Sequence, residues 1–268
     1  MIHLDTHVHV YDGYNVDRLC DAMVARAGKE AIPAMFLAER TGQHTFSDWV
    51  AAAKEGRPMA GATRWRPLTA PDDWTVVLGD GDSELAVFAA RQIAAKERIE
   101  ALGLFLSTPI PDGLPLAGTL ERIREAGGIP VLPWGIGKWL FKRRKIVERI
   151  LASYDPDTLF LGDSALRPRF WKTPRPMSAA IKRGFRVLHG SDPLPHPDEE
   201  LRAGSYATLL MGSLDPASPA DGLRNLLFLP ASSFTPVGRR STLREFLCRN
   251  RRLRRPSTPT PPASGRNA

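Results

Sequence analysis

Met1-Ile-His3-Leu-Asp5-Thr-His7-Val-His9-Val-Tyr11-Asp12-Gly13 opens the chain with a short apolar run that carries three of its six histidines. Ile2 to Val8 reads as a β-strand. Alternate strand residues share a face, so His7 and His9 are expected together, with Asp5 in line. Two imidazoles and a carboxylate on one side of a strand suit chelation of a divalent ion such as zinc, manganese or iron.

Outward from this strand, β-like runs alternate with helical periodicity. Val16 to Ala27 reads as a helix with Leu19, Cys20, Met23 and Val24 on one face, and Ile32 to Ala38 as a second strand. A helix over Phe46 to Glu55, capped by Thr45 or Ser47, comes next. Strands follow at Trp74 to Leu78, Leu85 to Ile93 and Ile99 to Leu106, with a hairpin near Gly79-Asp-Gly-Asp. Regular alternation then returns. Helices are expected at Leu116 to Ala126, Arg143 to Tyr154, Met177 to Arg183 and Glu199 to Met211, and strands at Ile129 to Pro133, Thr158 to Gly162 and Phe185 to Gly190. Mostly parallel strands with covering helices predict an α/β fold, a distorted TIM-like barrel of seven or eight strands. An open doubly wound sheet is disfavoured, because no Gly-x-Gly-x-x-Gly turn follows the first strand.

Barrels of this kind build their sites where strands end. That rule selects His7 and His9 after the first strand, Glu39 after the second, and Gln92 and Glu100 in the middle strands. It also selects Trp134, Lys138 and Asp163, and finally His189, Ser191 and Asp192 in Leu188-His-Gly-Ser-Asp192-Pro. His7, His9, Asp192 and Glu39 are the candidate metal ligands. Asp163, Glu100 and Lys138 are candidates for proton transfer and charge stabilisation, and Arg167 and Arg169 for binding an anionic substrate.

Asp5-Thr-His7-Val-His9 with Asp12-Gly13, the Glu121 to Leu132 segment and Gly190-Ser-Asp192 together resemble the polymerase and histidinol phosphatase (PHP) family, over about residues 1 to 212. The resemblance implies a seven-stranded distorted barrel that binds up to three metals and hydrolyses phosphoesters. Only His7, His9 and Asp192 match it residue for residue. Glu39, Gln92, Glu100, Trp134 and Leu194 stand where the family pattern has other side chains, so one metal, or two, is expected rather than three. The function implied is a metal-dependent phosphoesterase acting on a small anionic substrate. The alternatives are an amidohydrolase-like enzyme of C–N or C–O bonds, or a degenerate barrel that serves as a binding protein.

Charge divides the chain. From Arg239 onward nine arginines (239, 240, 244, 249, 251, 252, 254, 255 and 266) face Glu245 alone, which accounts for the whole net charge of +8 and leaves residues 1–238 neutral. A barrel domain over 1–238 and a basic, Pro-rich, disordered tail over 239–268 are expected. Nucleic acid is expected to engage the tail only, if at all. No apolar run approaches the roughly 20 residues needed to span a bilayer, and a soluble cytoplasmic protein is expected.

Overall fold

The first strand, β1 (Ile2–Val8), is buried along its whole length, as a strand covered on both faces must be. In the computed structural model, which describes residues 1–253, it is followed by α1 (Val16–Ala27), β2 (Ile32–Glu39) and α2 (Thr45–Glu55). A hairpin of β3 (Arg66–Asp72) and β4 (Thr75–Gly79) precedes β5 (Glu84–Ala94) and β6 (Glu100–Leu104). The second half comprises α3 (Leu116–Glu125), β7 (Ile129–Pro133), α4 (Phe141–Ser153), β8 (Phe160–Ser164), α5 (Arg175–Lys182) and β9 (Val187–Gly190). The described chain closes with β10 (Tyr206–Leu210), α6 (Pro219–Leu227), β11 (Thr235–Gly238) and α7 (Leu243–Leu253). Among the described residues no helix is long and apolar enough to cross a membrane.

The strands form one sheet along the path β11-β10-β1-β2-β5-β6-β7-β8-β9, with β3 and β4 attached beside β5. β1, β2 and β5 are parallel, as are β7, β8 and β9, and antiparallel β6 joins the two sets. The path curls until β9 returns to β1. There Thr6 Oγ1 donates to the His189 carbonyl (3.0 Å), and the Asp192 N–H donates to the His7 carbonyl (2.9 Å). This is the distorted TIM-like barrel expected from the alternating pattern.

Inside it, Ile2, Leu4, Phe36, Phe88, Phe105 and Phe160 fill the lower part as one apolar cluster. Phe36 meets Phe105 edge to face at 4.9 Å. The opposite faces of β1 and β2, carrying Val8, Met35 and Leu37, pack under α1 and α2.

Alternation along β1 is broken once. Leu4 pairs with inward-facing Ala34 and Asp5 with outward-facing Met35, but Val8 pairs with Leu37, so the register shifts between Asp5 and Val8. This bulge turns His7 and His9 to the inner face and leaves Asp5 on the other, so the expected alignment of Asp5 with the two histidines does not form. Asp5 clamps the bulge instead. Its Oδ1 accepts from the His7 (3.1 Å) and Ser191 (3.0 Å) N–H groups, and its Oδ2 from Gly204 N–H (2.7 Å). Burial pushes the Asp5 carboxyl up to about 6, against the pull of those hydrogen bonds.

Gly190 is required by the same closure. A Cβ there would lie 2.4 Å from His7 Cβ and 2.9 Å from His7 N.

Three expectations change. The helix expected over Glu199 to Met211 is a single 3-10 turn, Glu199–Arg202, followed by β10, because Gly204 at φ 77° breaks the helix and Tyr206–Leu210 pairs with both β1 and β11. Proline-bearing β3 was not foreseen; it pairs with β4 alone, and an edge tolerates proline. The tail expected to be disordered from residue 239 gives way to helix α7, whose Arg249 is buried against Glu199; residues 254–268 lie outside the described residues.

Two substitutions test this closure by thermal and chemical unfolding. Overpacking costs about 1–3 kcal/mol, so Gly190→Ala is expected to lower Tm by roughly 2–10 °C. Asp5→Ala leaves three buried N–H donors unpaired, at about 1–3 kcal/mol for each. A wild-type Tm for the first, or a loss below about 1 kcal/mol for the second, would contradict the account.

Candidate metal centre

His7 and His9 reach the barrel mouth from the bulged end of β1, and Asp192 meets them from the loop after β9. Among the described residues these three form the group able to hold a metal ion, with one donor atom from each lying within 4.8 Å of the others. His7 Nε2 and His9 Nε2 are 3.0 Å apart, and Asp192 Oδ1 is 3.8 Å from each.

The donor chemistry fits a cation. His9 Nδ1 lies 2.6 Å from the Ala38 carbonyl, which can only accept, so Nδ1 carries the proton and Nε2 presents its lone pair to the centre. Burial, with His7 adding to it, pulls the His9 pKa down to about 3, so the ring is neutral in neutral solution. His7 Nε2 faces both that lone pair and Gln92 Oε1 (2.8 Å), three electron-rich atoms in a space that a cation or a proton must share. Nitrogen donors at about 2.0–2.1 Å from a tetrahedral zinc lie about 3.3 Å apart, close to the separation observed.

Asp192 is held at its N–H, its carbonyl and Oδ2, while Oδ1 faces the two imidazoles. Its backbone is left-handed (φ 51°), a region that Asp tolerates better than most residues. The N–H donates to the His7 carbonyl, the carbonyl accepts from Arg249 Nη2 (3.2 Å), and Oδ2 accepts from Ser164 Oγ (3.0 Å). Burial raises its pKa, but the imidazoles of His7 and His9, then Lys138 and Arg249, outweigh burial and hold the carboxyl below its usual range.

Glu100 and Lys138 form an ion pair at the mouth. Antiparallel β6 starts where its neighbours end, which brings Glu100 to the top of the barrel. The Tyr11 ring stands 5.5 Å from that of His9, and Arg40 lies over Tyr11 at 4.9 Å. Beside them opens a cavity of about 660 Å³ whose lining includes Tyr11, Arg40, Gln43 and His44.

Other selected residues are not brought to this group. Glu39 follows Ala38 and so turns to the outer face, where Oε1 accepts from the Phe46 N–H at the start of α2 (2.9 Å) and Oε2 pairs with Arg91 (3.1 Å). It thereby does the capping expected of Thr45 or Ser47.

Asp163 also faces outward. Arg167 grips it through Nε (2.7 Å) and Nη2 (2.5 Å), and Tyr206 donates to it (2.9 Å). Its neighbour Ser164 is the β8 residue that reaches the centre. Arg167 is thus committed to Asp163, and exposed Arg169 has no contact with His7, His9 or Asp192 among the described residues. Trp134 packs edge to face with Trp171 at 5.8 Å.

Ser164 and Arg249 were missed in the sequence. Extending the alternation of β8 by two residues picks out Ser164, whereas nothing local to Arg249 marks it.

No family model matches the chain, and no curated protein matches it. Among solved structures its fold is similar to PsfC from Pseudomonas syringae PB-5123, with a TM-score of 0.53 and 12% identity over 94% of this chain and 97% of that one. Weaker matches are Endonuclease Q in complex with a 27-mer duplex bearing an abasic lesion (TM-score 0.45) and the lesion-specific endonuclease PfuEndoQ from Pyrococcus furiosus (TM-score 0.44). Both are 13% identical over 84% of this chain, which spans 55% of theirs. At these identities the likeness to PsfC is one of fold.

Proposed function

We propose that the protein is a metal-dependent hydrolase of small anionic substrates, phosphoesters first, with His7, His9 and Asp192 holding one divalent ion. The observation that carries this reading is the convergence of two imidazole nitrogens and a carboxylate oxygen at the mouth of the barrel. A divalent ion held by these three side chains would supply Lewis acidity and lower the pKa of water toward about 7.

The chain's own residues supply the remaining parts. The Ala38 carbonyl fixes the tautomer of His9, and Ser164 and Arg249 fix the carboxylate and backbone of Asp192. Glu100 is the carboxylate available at the mouth to accept a proton. Lys138, paired with Glu100, and Arg40, over Tyr11, bring positive charge to the same opening, which favours an anionic substrate over a neutral ester or amide. Glu39, Asp163 and Arg167 support the barrel outside this set.

Metal analysis of untagged protein by mass spectrometry tests the ligand set. One equivalent of a transition metal is expected, absent in His7→Ala. Ser164→Ala should weaken metal affinity about 10–100-fold, as loss of a ligand's hydrogen-bond partner commonly does, with recovery in Ser164→Thr. Metal content unaltered by His7→Ala would sink the reading.

A second test concerns the substrate. Lys138→Ala is expected to raise KM for p-nitrophenyl phosphate about tenfold, as loss of one charge-assisted hydrogen bond entails, while p-nitrophenyl acetate hydrolysis changes little. Equal effects on both, or activity on the acetate alone, would favour the C–O or C–N hydrolase.

A further inference from the structure

A second concave, strongly basic place lies on the other side of β1. The bulge sends His7 inward, whereas His3 and Gly204 border a cavity of about 600 Å³ between α1, β10, β11 and α7. Five arginines line it (Arg26, Arg202, Arg239, Arg240 and Arg249) against two carboxylates, Glu30 and Glu245; Glu199, just outside the lining, neutralises Arg249, which leaves a local excess of two positive charges. None of His7, His9 and Asp192 is in its lining.

The carboxylates available do not neutralise it. Glu245 is shared by Arg202 (3.2 Å) and Arg239 (3.1 Å), and buried Arg249 is committed to Glu199 (2.6 Å). Arg26 and Arg240 have no carboxylate within ion-pair distance among the described residues. Arg26 donates from Nη1 to the Ala22 (3.2 Å) and Ala203 (2.7 Å) carbonyls. Arg240 donates to the Trp171 carbonyl (3.0 Å) and, at 3.4 Å, to those of Pro168 and Arg169. Each guanidinium offers five donors in a fixed fork, so both retain unused ones. Burial, with Arg167 close by, outweighs the pull of the Asp163 carboxylate, itself gripped by Arg167, and holds half-buried Arg240 below the usual arginine value.

We propose that this cavity is a binding site for a phosphoryl-type oxyanion, with Arg26 and Arg240 as its principal donors. Guanidinium forks suit the oxygens of a phosphate, and the volume is that of a small-molecule site. The inference does not depend on the hydrolase reading, because the site shares no ligand with the metal centre.

Titration calorimetry of the full-length protein with inorganic phosphate at low salt tests it. Saturable binding is expected, retained in His7→Ala and weakened at least about tenfold in Arg26→Gln/Arg240→Gln, the loss that one charge-assisted hydrogen bond entails. Phenylglyoxal labelling of the wild-type protein, read by mass spectrometry, avoids reliance on folding of the double variant: phosphate should protect Arg26 and Arg240. Single-stranded DNA that binds through the same two arginines would identify a polymer as the source of the phosphoryl groups and support the same chemistry. No phosphate binding, binding lost in His7→Ala, or binding and labelling indifferent to Arg26 and Arg240 would overturn the proposal.

Discussion

The buried carboxylate of Asp5 and the bulge it clamps determine what the rest of the barrel can do. A regular β1 would keep His7 and His9 on the outer face with Asp5, under α1 and α2, because strand parity leaves no other choice. One extra residue between Asp5 and Val8 reverses that parity. The three N–H groups that Asp5 collects come from the bulge itself, from the β9 loop and from the turn before β10. A single side chain thus joins the three segments that close the barrel. The close approach of Gly190 to His7 then seats the following loop, and with it Asp192, against the histidines.

Much of this was legible in the sequence, for identifiable reasons. Apolar runs such as Ile2 to Val8 and Ile129 to Pro133 are short and bounded, and strands are where they fall. His7, His9 and Asp192 stand out because they interrupt apolar strands at their ends, and these three do converge. Errors arose where one residue of parity matters. Asp163 and Glu39 follow the inner-facing positions Gly162 and Ala38 and turn outward, each to a local cation, while Ser164 points in. Glu100 is positioned by an antiparallel strand, whose direction is a tertiary property. Over Glu199 to Met211 helical periodicity lost to sheet pairing on both sides of β10.

Strong C-terminal positive charge likewise had a structural fate that composition alone hid. Arg249 is not part of a solvated tail: it joins α7 to Glu199, Ser241 and the Asp192 carbonyl, so the helix helps to hold the loop that carries Asp192 in place. Arg239 and Arg240 wall a cavity on the outer face of β1. The same chain end therefore supports one site and lines another.

The central claim is that the inward turn of β1 creates one metal centre from His7, His9 and Asp192. Crystals equilibrated with zinc and measured at the zinc absorption edge test it most directly. The account predicts one anomalous peak at the barrel mouth, about 2.0–2.2 Å from His7 Nε2, His9 Nε2 and Asp192 Oδ1. An empty mouth with zinc bound elsewhere, or a peak that Asp192 does not reach, would contradict it.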